Sequence, residues 1–359
     1  MNFLTIIIVC FSVLGAFDRM TGSRLGIGKE FEKAFMLLGT MALAMIGMIV
    51  ISPFIAKVMH PFSHLVSEIL GIDASIIPAS LFANDMGGAQ LAVEMASNTQ
   101  TGLYNALVVS SMMGCTVSFT VPFALGVVGS SQHKDLLLGL LCGIVTIPAG
   151  CVVSGIICGI SIIELVVNLI PLIVFSGVIC LGLIKFPEKC IRIFRIFGFF
   201  ITGVIMVGLA LGIIRFLTGY EVIKGLNTVE DGAYICVNAA IVLSGTFPLM
   251  YLISQLLSKP LKYFSDKTGM NRTSLVGMVS SLASSSTTFG MMEQMDRKGV
   301  VVNSAFSVSG AFVLGSHLAF TMAFDSSYVF SVIAGKLISG VLAVLLAFVM
   351  YKRINRLTL

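Results

Sequence analysis

The chain has 359 residues, of which 57% are hydrophobic and only 11% are charged, and its mean hydropathy is +1.03. Ordinary soluble domains are about 45–50% apolar and about 25% charged, so this composition excludes a soluble globular protein. The eight cysteines are scattered without a C-x-x-C pair, which argues against a disulfide framework and against a zinc site. The meaning of the net charge of +5 depends on where the basic residues lie.

Nine apolar runs are long enough to cross a bilayer, since a helical span needs about 20 residues. They cover residues 2–17, 34–56, 103–128, 136–159, 162–184, 193–217, 234–257, 299–322 and 328–351. The first run lacks a basic leader and a small-residue cleavage site, so we interpret it as a retained span. The sequence therefore predicts an all-α polytopic membrane protein.

The basic residues divide unequally between the two sides of the membrane. If the nine runs each cross once, 18 Lys and Arg residues fall on the side reached after the first span, and only Lys57, Arg215 and Lys224 fall on the other. Lys336 lies within the last span. The positive-inside rule then places the N-terminus outside and the C-terminus in the cytoplasm. The positive charge thus indicates topology, and no nucleic-acid partner is predicted.

Two further apolar segments are broken at their centres by polar residues. Segment 74–98 is interrupted by Asn84-Asp85-Met86-Gly87-Gly88, and segment 273–295 by Ser284-Ser285-Ser286-Thr287-Thr288. Non-helical backbone at membrane depth is tolerated only where protein or a water-filled cavity surrounds it. We therefore predict two re-entrant helical hairpins whose tips lie inside the bundle, with a kinked ordinary span as the alternative for each.

The surroundings of the two segments match. Equivalent residues recur at an offset of 198 or 199: Gly71 and Gly269, Asn105 and Asn303, Glu94 and Glu293. Five predicted spans separate the segments, and an odd number makes the two units face opposite ways. The pattern predicts an inverted repeat within a single membrane domain, with units 1–190 and 191–359, as in secondary transporters.

Asp85 is the strongest candidate for a functional residue. Ionisable groups at membrane depth cost at least about 2.5–3.5 kcal/mol, so each is a functional candidate. Asp85 adjoins Asn84 and two glycines that allow close approach of a ligand to the backbone. An N-cap role for Asp85 is the competing interpretation, and the two roles are compatible. Glu94 is the second candidate, because no basic residue is near it in sequence.

Several other polar residues complete the candidate substrate site: Gln90, Asn105, Ser285, Ser286, Thr287, Thr288, Glu293 and Asn303. Each has a structural alternative. Hydroxyls in membrane helices often bond their own backbone, the two asparagines suit a shared architectural role, and Glu293 is spaced for an ion pair with Arg297. His317 is interpreted as an interfacial histidine near a span end, with a proton-linked role as the alternative.

Motifs for enzymatic chemistry are missing from the sequence. It contains no H-E-x-x-H, G-x-S-x-G, P-loop or dinucleotide-binding pattern. We therefore predict no catalytic residues, no metal site, no cofactor and no ATP-driven pump.

Three stretches together resemble the ethanolamine permease family of bacterial ethanolamine-utilisation operons. They are GAFDRMTGSRLGIGKEFEKAFMLLGTMALAMIGMI, ANDMGGAQLAVEMA and TTFGMMEQMDRKGVVVNSAFSVSGAFVLGSHLAF. The resemblance runs from the first span through the last. It implies uptake of ethanolamine across the bacterial cytoplasmic membrane, a lipid bilayer as surroundings and a possible homo-oligomer.

The candidate residues suit this substrate. With an amine pKa near the ~10 of lysine, all but roughly 0.1% of ethanolamine is cationic at pH 7, and a carboxylate such as Asp85 or Glu94 would pair with it. Two alternatives stay open: a channel-like facilitator, and a carrier of another small amine or a nucleoside on the same scaffold.

Overall fold

The structure, a computed structural model, describes residues 3–257 and 265–357. Within these ranges the chain forms helices and no strand. The helices are α1 (Phe3–Met20), α2 (Ile27–Met36), α3 (Leu38–Leu70), α4 (Ile76–Leu81), α5 (Gly88–Met95), α6 (Thr99–Val127), α7 (His133–Ile157), α8 (Ile162–Lys185), α9 (Pro187–Thr218), α10 (Val229–Leu257), α11 (Arg272–Ser281), α12 (Ser285–Gly290), α13 (Arg297–Ser309), α14 (Ser316–Phe324) and α15 (Val329–Leu357). The predicted all-α membrane fold is confirmed.

Eight helices of the described chain are long and apolar enough to cross a membrane. They correspond to eight of the nine predicted spans. The ninth prediction, 299–322 as one continuous helix, is wrong, because the chain leaves helical geometry between α13 and α14. Phe312 has a left-handed φ of 60° in this break, and the backbone N–H groups of Phe312 and Leu314 donate to the carbonyls of Ser281 and Leu282 at 2.9 Å.

Both polar-interrupted segments are pairs of short helices. In the first, α4 and α5 flank a break at 82–87 that includes a single 3-10 turn at Asn84–Met86. In the second, α11 and α12 flank residues 282–284. The second break therefore lies earlier than predicted, because Ser284 takes the extended N-cap conformation and the hydroxyl residues after it begin α12.

The connections around the two segments share local geometry at an offset of 198 residues. Gly71 and Gly269 are both left-handed, with φ of 66° and 65°. Asn98 caps the start of α6, and Asp296 caps the start of α13. These correspondences support the predicted repeat, whereas the division into units at residue 190 stays a prediction.

The two helices that follow the broken segments, α6 and α13, form the core of the bundle. All residues from 105 to 114 in α6 are buried, and this stretch is π-helical, as is 116–120. In α13, every residue from 299 to 309 is buried. Single-turn π geometry is frequent at functional sites, and here it extends along the helix that supports the first break.

Candidate functional site

The break of the first segment is held by the core helix α6. The Ser110 hydroxyl donates to the carbonyl of Phe82, and the backbone N–H of Ala83 donates to the Ser118 hydroxyl at 3.0 Å. These bonds fix the backbone on the N-terminal side of Asn84 and Asp85. The next two residues after the 3-10 turn are glycines, and Gly87 is left-handed with a φ of 85°.

Asp85 lies beside the start of α14. Its Oδ1 is 3.8 Å from Nε2 of His317, and Ser316 directly precedes this histidine at the first position of α14. The Asp85 side chain is 19% exposed, whereas that of His317 is only 1% exposed. The structure thus brings together residues that are about 230 positions apart in sequence. His317, predicted to be interfacial, is instead buried in the centre of the protein.

A buried lysine lies in the last span. Lys336, on α15, is 1% exposed, and its Nζ donates to the carbonyl of Ser111 at 2.7 Å. No ion pair of Lys336 is found among the described residues. We call Asn84, Asp85, Ser316 and His317 the central cluster.

Two members of the central cluster have polar atoms without a partner among the described residues. Asn84 is fully buried, and neither its side-chain nitrogen nor its oxygen has a hydrogen bond. Nδ1 of His317 is also buried and has no hydrogen-bond partner in the described chain. Buried polar groups are normally hydrogen-bonded, and each exception calls for an explanation. An amide, an imidazole nitrogen and a carboxylate in one place can together bind a small polar cation.

A cavity of about 410 Å³ reaches the central cluster from one end of the bundle. Ser316 lies in its wall, together with residues of α2, of α10 and of the second broken segment. Among the predicted site residues, Ser286 and Thr287 line this cavity. The second broken segment therefore faces the same cavity as Ser316, although its hydroxyls are not members of the central cluster.

A second cavity, of about 730 Å³, lies at the opposite end of α10. Tyr234 lines it, whereas Phe247 of the same helix lines the first cavity. Ser316 and Phe324, at the two ends of α14, likewise face the first and the second cavity. Eight residues of α-helix span about 12 Å. The two cavities are thus separated by a short barrier that includes α14, and the central cluster is at the first-cavity end of it.

Glu94 and Glu293, the other two acidic residues of the predicted substrate site, lie outside the central cluster. Glu94 is exposed, accepts a hydrogen bond from Gln90 at 3.3 Å and lines a shallow cavity with Lys57. Gln90 itself lines the second cavity. Glu293 is also exposed, and the predicted ion pair between Glu293 and Arg297 is replaced by one between Arg297 and Asp135, at 2.9 Å.

The two predicted asparagines make architectural bonds. Asn105 donates to the hydroxyl of Ser75 at 2.8 Å and exchanges hydrogen bonds with Asn168. Asn303 donates to the carbonyls of Ser274 and Gly299 at 2.9 Å. Asn105 thus connects α6 to the residue that precedes α4 and to α8, and Asn303 connects α13 to α11.

The hydroxyls of α12 have mixed surroundings. Thr288 is buried and donates to the carbonyl of Gly277 at 2.8 Å, which is an internal contact of the second segment. Ser285 is fully buried and its hydroxyl has no partner in the described chain. Ser285 therefore resembles Asn84, because each lies at a helix break and has a buried polar atom without a hydrogen bond in the described chain.

We expect Gly88→Ala to displace the break that carries Asp85. A Cβ at this position would lie 2.4 Å from the carbonyl oxygen of Phe82 and 2.6 Å from that of Ala83. Because both are backbone atoms, they cannot rotate away, and overpacking of this kind costs about 1–3 kcal/mol. The measurement is the thermal unfolding midpoint of the purified protein in detergent, which should fall by several degrees.

Gly290→Ala is the matched control for this substitution. A Cβ at Gly290, at the end of α12, would meet nothing within 4 Å. Its unfolding midpoint should stay at the wild-type value. Equal midpoints for the two variants would contradict the tight packing of the first break.

Comparison with known proteins agrees with this architecture. The family model described as "Ethanolamine utilisation protein, EutH" matches residues 1–350. A protein of Listeria monocytogenes named "Probable ethanolamine permease EutH" is 40% identical over 98% of this chain and 94% of its own length. A protein of Escherichia coli with the same name is 38% identical over 89% of this chain and 84% of its own length.

A further relative carries no functional name. The "Uncharacterized protein YxeR" of Bacillus subtilis is 35% identical over 94% of this chain and 91% of its own length. No solved structure matches the chain. Because the family model covers residues 1–350 and the relatives match over most of both chains, the chain belongs to the EutH family of ethanolamine utilisation proteins.

Proposed function

We propose that this protein carries ethanolamine across the bacterial cytoplasmic membrane by alternating access, and that Asp85 holds the substrate ammonium. The observation that carries the proposal is a partly accessible carboxylate in a helix break, 3.8 Å from His317, whose neighbour Ser316 lines a cavity. The names of the relatives support the choice of substrate.

The chemistry of the central cluster suits a small amino alcohol. The ammonium of ethanolamine would pair with the carboxylate of Asp85, since a charged hydrogen bond in a low-dielectric site is strong. The hydroxyl of the substrate can both donate and accept, and the buried amide of Asn84 offers a donor and an acceptor without partners. One charge and one amide suffice for a molecule of this size.

The two cavities support alternating access. In the proposed orientation, with the N-terminus outside, Glu30 and Lys33 of α2 lie on the cytoplasmic side, so the first cavity opens towards the cytoplasm. The second cavity then opens outside. A carrier moves the barrier between such cavities past a fixed site, and α14 with the first helix break is that barrier in this proposal.

The test is uptake of labelled ethanolamine into proteoliposomes that contain the purified full-length protein. We expect saturable uptake, and accelerated uptake into vesicles preloaded with unlabelled ethanolamine, because a carrier exchanges substrate. Uridine should not compete, since it has no ammonium to pair with the carboxylate of Asp85. Uptake that stays linear with concentration and shows no exchange would replace the carrier with a channel.

A further inference from the structure

A groove on the side of the bundle has both α9 and the first helix break in its wall. Its volume is about 340 Å³, and its other wall is the C-terminal part of α6. Met86, the residue after Asp85, lines the groove, and among the described residues that line it only Arg195 is charged. Phe199 in the same wall is 83% exposed, so the groove is open to the surroundings of the bundle.

Arg195 lies at the level of the lipid headgroups. Residues 196–214 of α9 contain no charged side chain, and Arg215 follows them. The rise along the helix from Arg195 to Arg215 is about 30 Å, which equals the thickness of the hydrocarbon core of a bilayer. The two arginines therefore mark the two boundaries of that core. In the proposed orientation Arg195 is at the cytoplasmic boundary.

The two arginines differ in their partners. Arg215 forms an ion pair with Glu221 at 2.7 Å and donates to the carbonyl of Leu226 at 2.7 Å. Arg195 is exposed and has no ion pair or hydrogen bond within residues 3–257 and 265–357. A guanidinium binds a phosphate group through two parallel hydrogen bonds. The phosphate of a phospholipid is the anion that a bilayer supplies at this level.

The surroundings of Arg195 favour an anionic phospholipid over a neutral one. Lys185 at the end of α8, and Lys189 and Arg192 in the first turns of α9, are all exposed. Glu188 is the one acidic residue of the stretch 185–195. Clusters of basic residues at the cytoplasmic surface attract anionic headgroups. The groove thus combines a basic mouth with apolar walls, which is the complement of an anionic lipid.

We propose that the groove binds one anionic phospholipid of the cytoplasmic leaflet, with its phosphate on Arg195 and one acyl chain along the wall that includes Met86. Apolar side chains of α6 and α9, such as Phe123 and Ile201, provide the surface for the chain. Van der Waals contacts drive such packing, because there is no hydrophobic effect within lipid. Ethanolamine has no part in this binding, so the proposal stands apart from the proposed function.

The groove wall is connected to both broken segments by aromatic contacts. The rings of Phe119 and Phe123 stack with centroids 5.2 Å apart. Phe123 is 6.2 Å from Phe289 of α12, and Phe119 is 5.7 Å from Phe312 in the break between α13 and α14. Phe312 is in turn 5.1 Å from the ring of His317. A chain packed on this wall therefore supports the contacts around the central cluster, so its binding should stabilise the whole protein.

The first test measures the thermal unfolding midpoint of the purified full-length protein in a neutral detergent. A ligand that binds only the folded protein raises this midpoint increasingly with its concentration. We expect phosphatidylglycerol to raise the midpoint by several degrees and phosphatidylcholine to raise it much less. Inorganic phosphate should leave the midpoint unchanged, because the acyl chain supplies part of the binding.

Gly198→Leu and Gly203→Leu are a matched pair of variants for the groove. Both glycines are on α9, and a Cβ at either position would meet nothing within 4 Å, so the added side chain enters open space. Gly198 lines the groove, whereas Gly203 does not. We expect Gly198→Leu to fill the groove and abolish the shift caused by phosphatidylglycerol. Gly203→Leu should keep the shift at its wild-type size.

Arg195→Gln and Arg192→Gln test the contact with the headgroup. Each removes one exposed positive charge from α9, but only Arg195 lines the groove. High salt screens long-range attraction, so a direct contact is what remains. Under these conditions Arg195→Gln should weaken the apparent affinity for phosphatidylglycerol about tenfold or more, the typical effect of losing a hydrogen bond to a charged group. Arg192→Gln should leave the affinity nearly unchanged.

Photo-crosslinking locates the bound chain. A phosphatidylglycerol with a photoreactive group at the end of one acyl chain should label peptides that contain Met86 or residues 119–126. Excess unlabelled phosphatidylglycerol should prevent this labelling, and Gly198→Leu should lose it. This measurement still reports on the groove if a variant has low stability.

Several results would overturn the proposal. They are an equal shift with phosphatidylcholine or with inorganic phosphate, an undiminished shift in Gly198→Leu, and labelling confined to other helices. A homodimer in detergent that Gly198→Leu dissociates would assign the groove to a second copy of the chain instead. Failure of ethanolamine uptake would overturn the proposed function alone, because none of these measurements involves the substrate.

Discussion

Replacing Asp85 with Asn should lower the rate of ethanolamine uptake at low substrate concentration at least ~30-fold. The substitution keeps the shape of the side chain and removes the charge that we propose pairs with the substrate ammonium. Removing one partner of a buried charge pair costs about 2–5 kcal/mol, and each 1.4 kcal/mol is a factor of ten in affinity. The measurement is initial uptake of labelled ethanolamine below saturation, with equal amounts of reconstituted protein.

Glu94→Gln is the matched control for this result. It removes a carboxylate from α5, in the same broken segment, where the side chain is exposed and hydrogen-bonded to Gln90. We expect its uptake to stay within about twofold of the wild type, since exposed polar contacts contribute little. Uptake near the wild-type rate in Asp85→Asn, or a larger loss in Glu94→Gln, would refute the assignment of Asp85.

The fold was largely predictable because burial in a bilayer imposes a simple requirement on sequence. Long apolar runs mark the helices, and eight of the nine predicted spans are long helices in the described chain. The exception, 299–322, is long and largely apolar, yet it is broken where the backbone of Phe312 and Leu314 bonds the second broken segment. Hydropathy indicates which residues are buried. It does not change when a helix breaks and its backbone forms hydrogen bonds to another segment in place of those within the helix.

The candidate site was predictable only where one short stretch contains it. Asn84 and Asp85 stand out because a polar pair interrupts an apolar segment. His317 lies more than 230 residues away, and nothing local in the sequence links it to Asp85.

Glu94 illustrates the opposite difficulty. Its position equivalent to Glu293 and its distance from basic residues in sequence favour a role in the site, but both side chains are exposed. Lys57, about 40 residues earlier in the chain, shares a cavity with Glu94. Whether an acidic residue in a short helix faces a cavity or the surface depends on the orientation of that helix, which tertiary packing determines.

The side chains of Asp85 and His317 should also be coupled in the stability of the protein, because Oδ1 of Asp85 is 3.8 Å from Nε2 of the buried His317. Asp85→Asn and His317→Gln each change one partner of this contact, and leaving a buried polar group without its partner costs about 1–3 kcal/mol. Each single variant should therefore lower the thermal unfolding midpoint in detergent, by roughly 2–12 °C if the ~2–4 °C per kcal/mol of larger domains applies.

The double variant, with Asp85→Asn and His317→Gln together, should be more stable than the sum of the single effects predicts, since residues in contact show coupling energies of about 0.5–3 kcal/mol. Its uptake should nevertheless stay as low as that of Asp85→Asn, because the ammonium still has no carboxylate to bind. A double variant whose stability loss equals the sum of the two single losses would show that Asp85 and His317 are independent. Recovery of stability without recovery of uptake would separate the two roles of Asp85: partner of His317 in the empty protein, and ligand of ethanolamine in the loaded one.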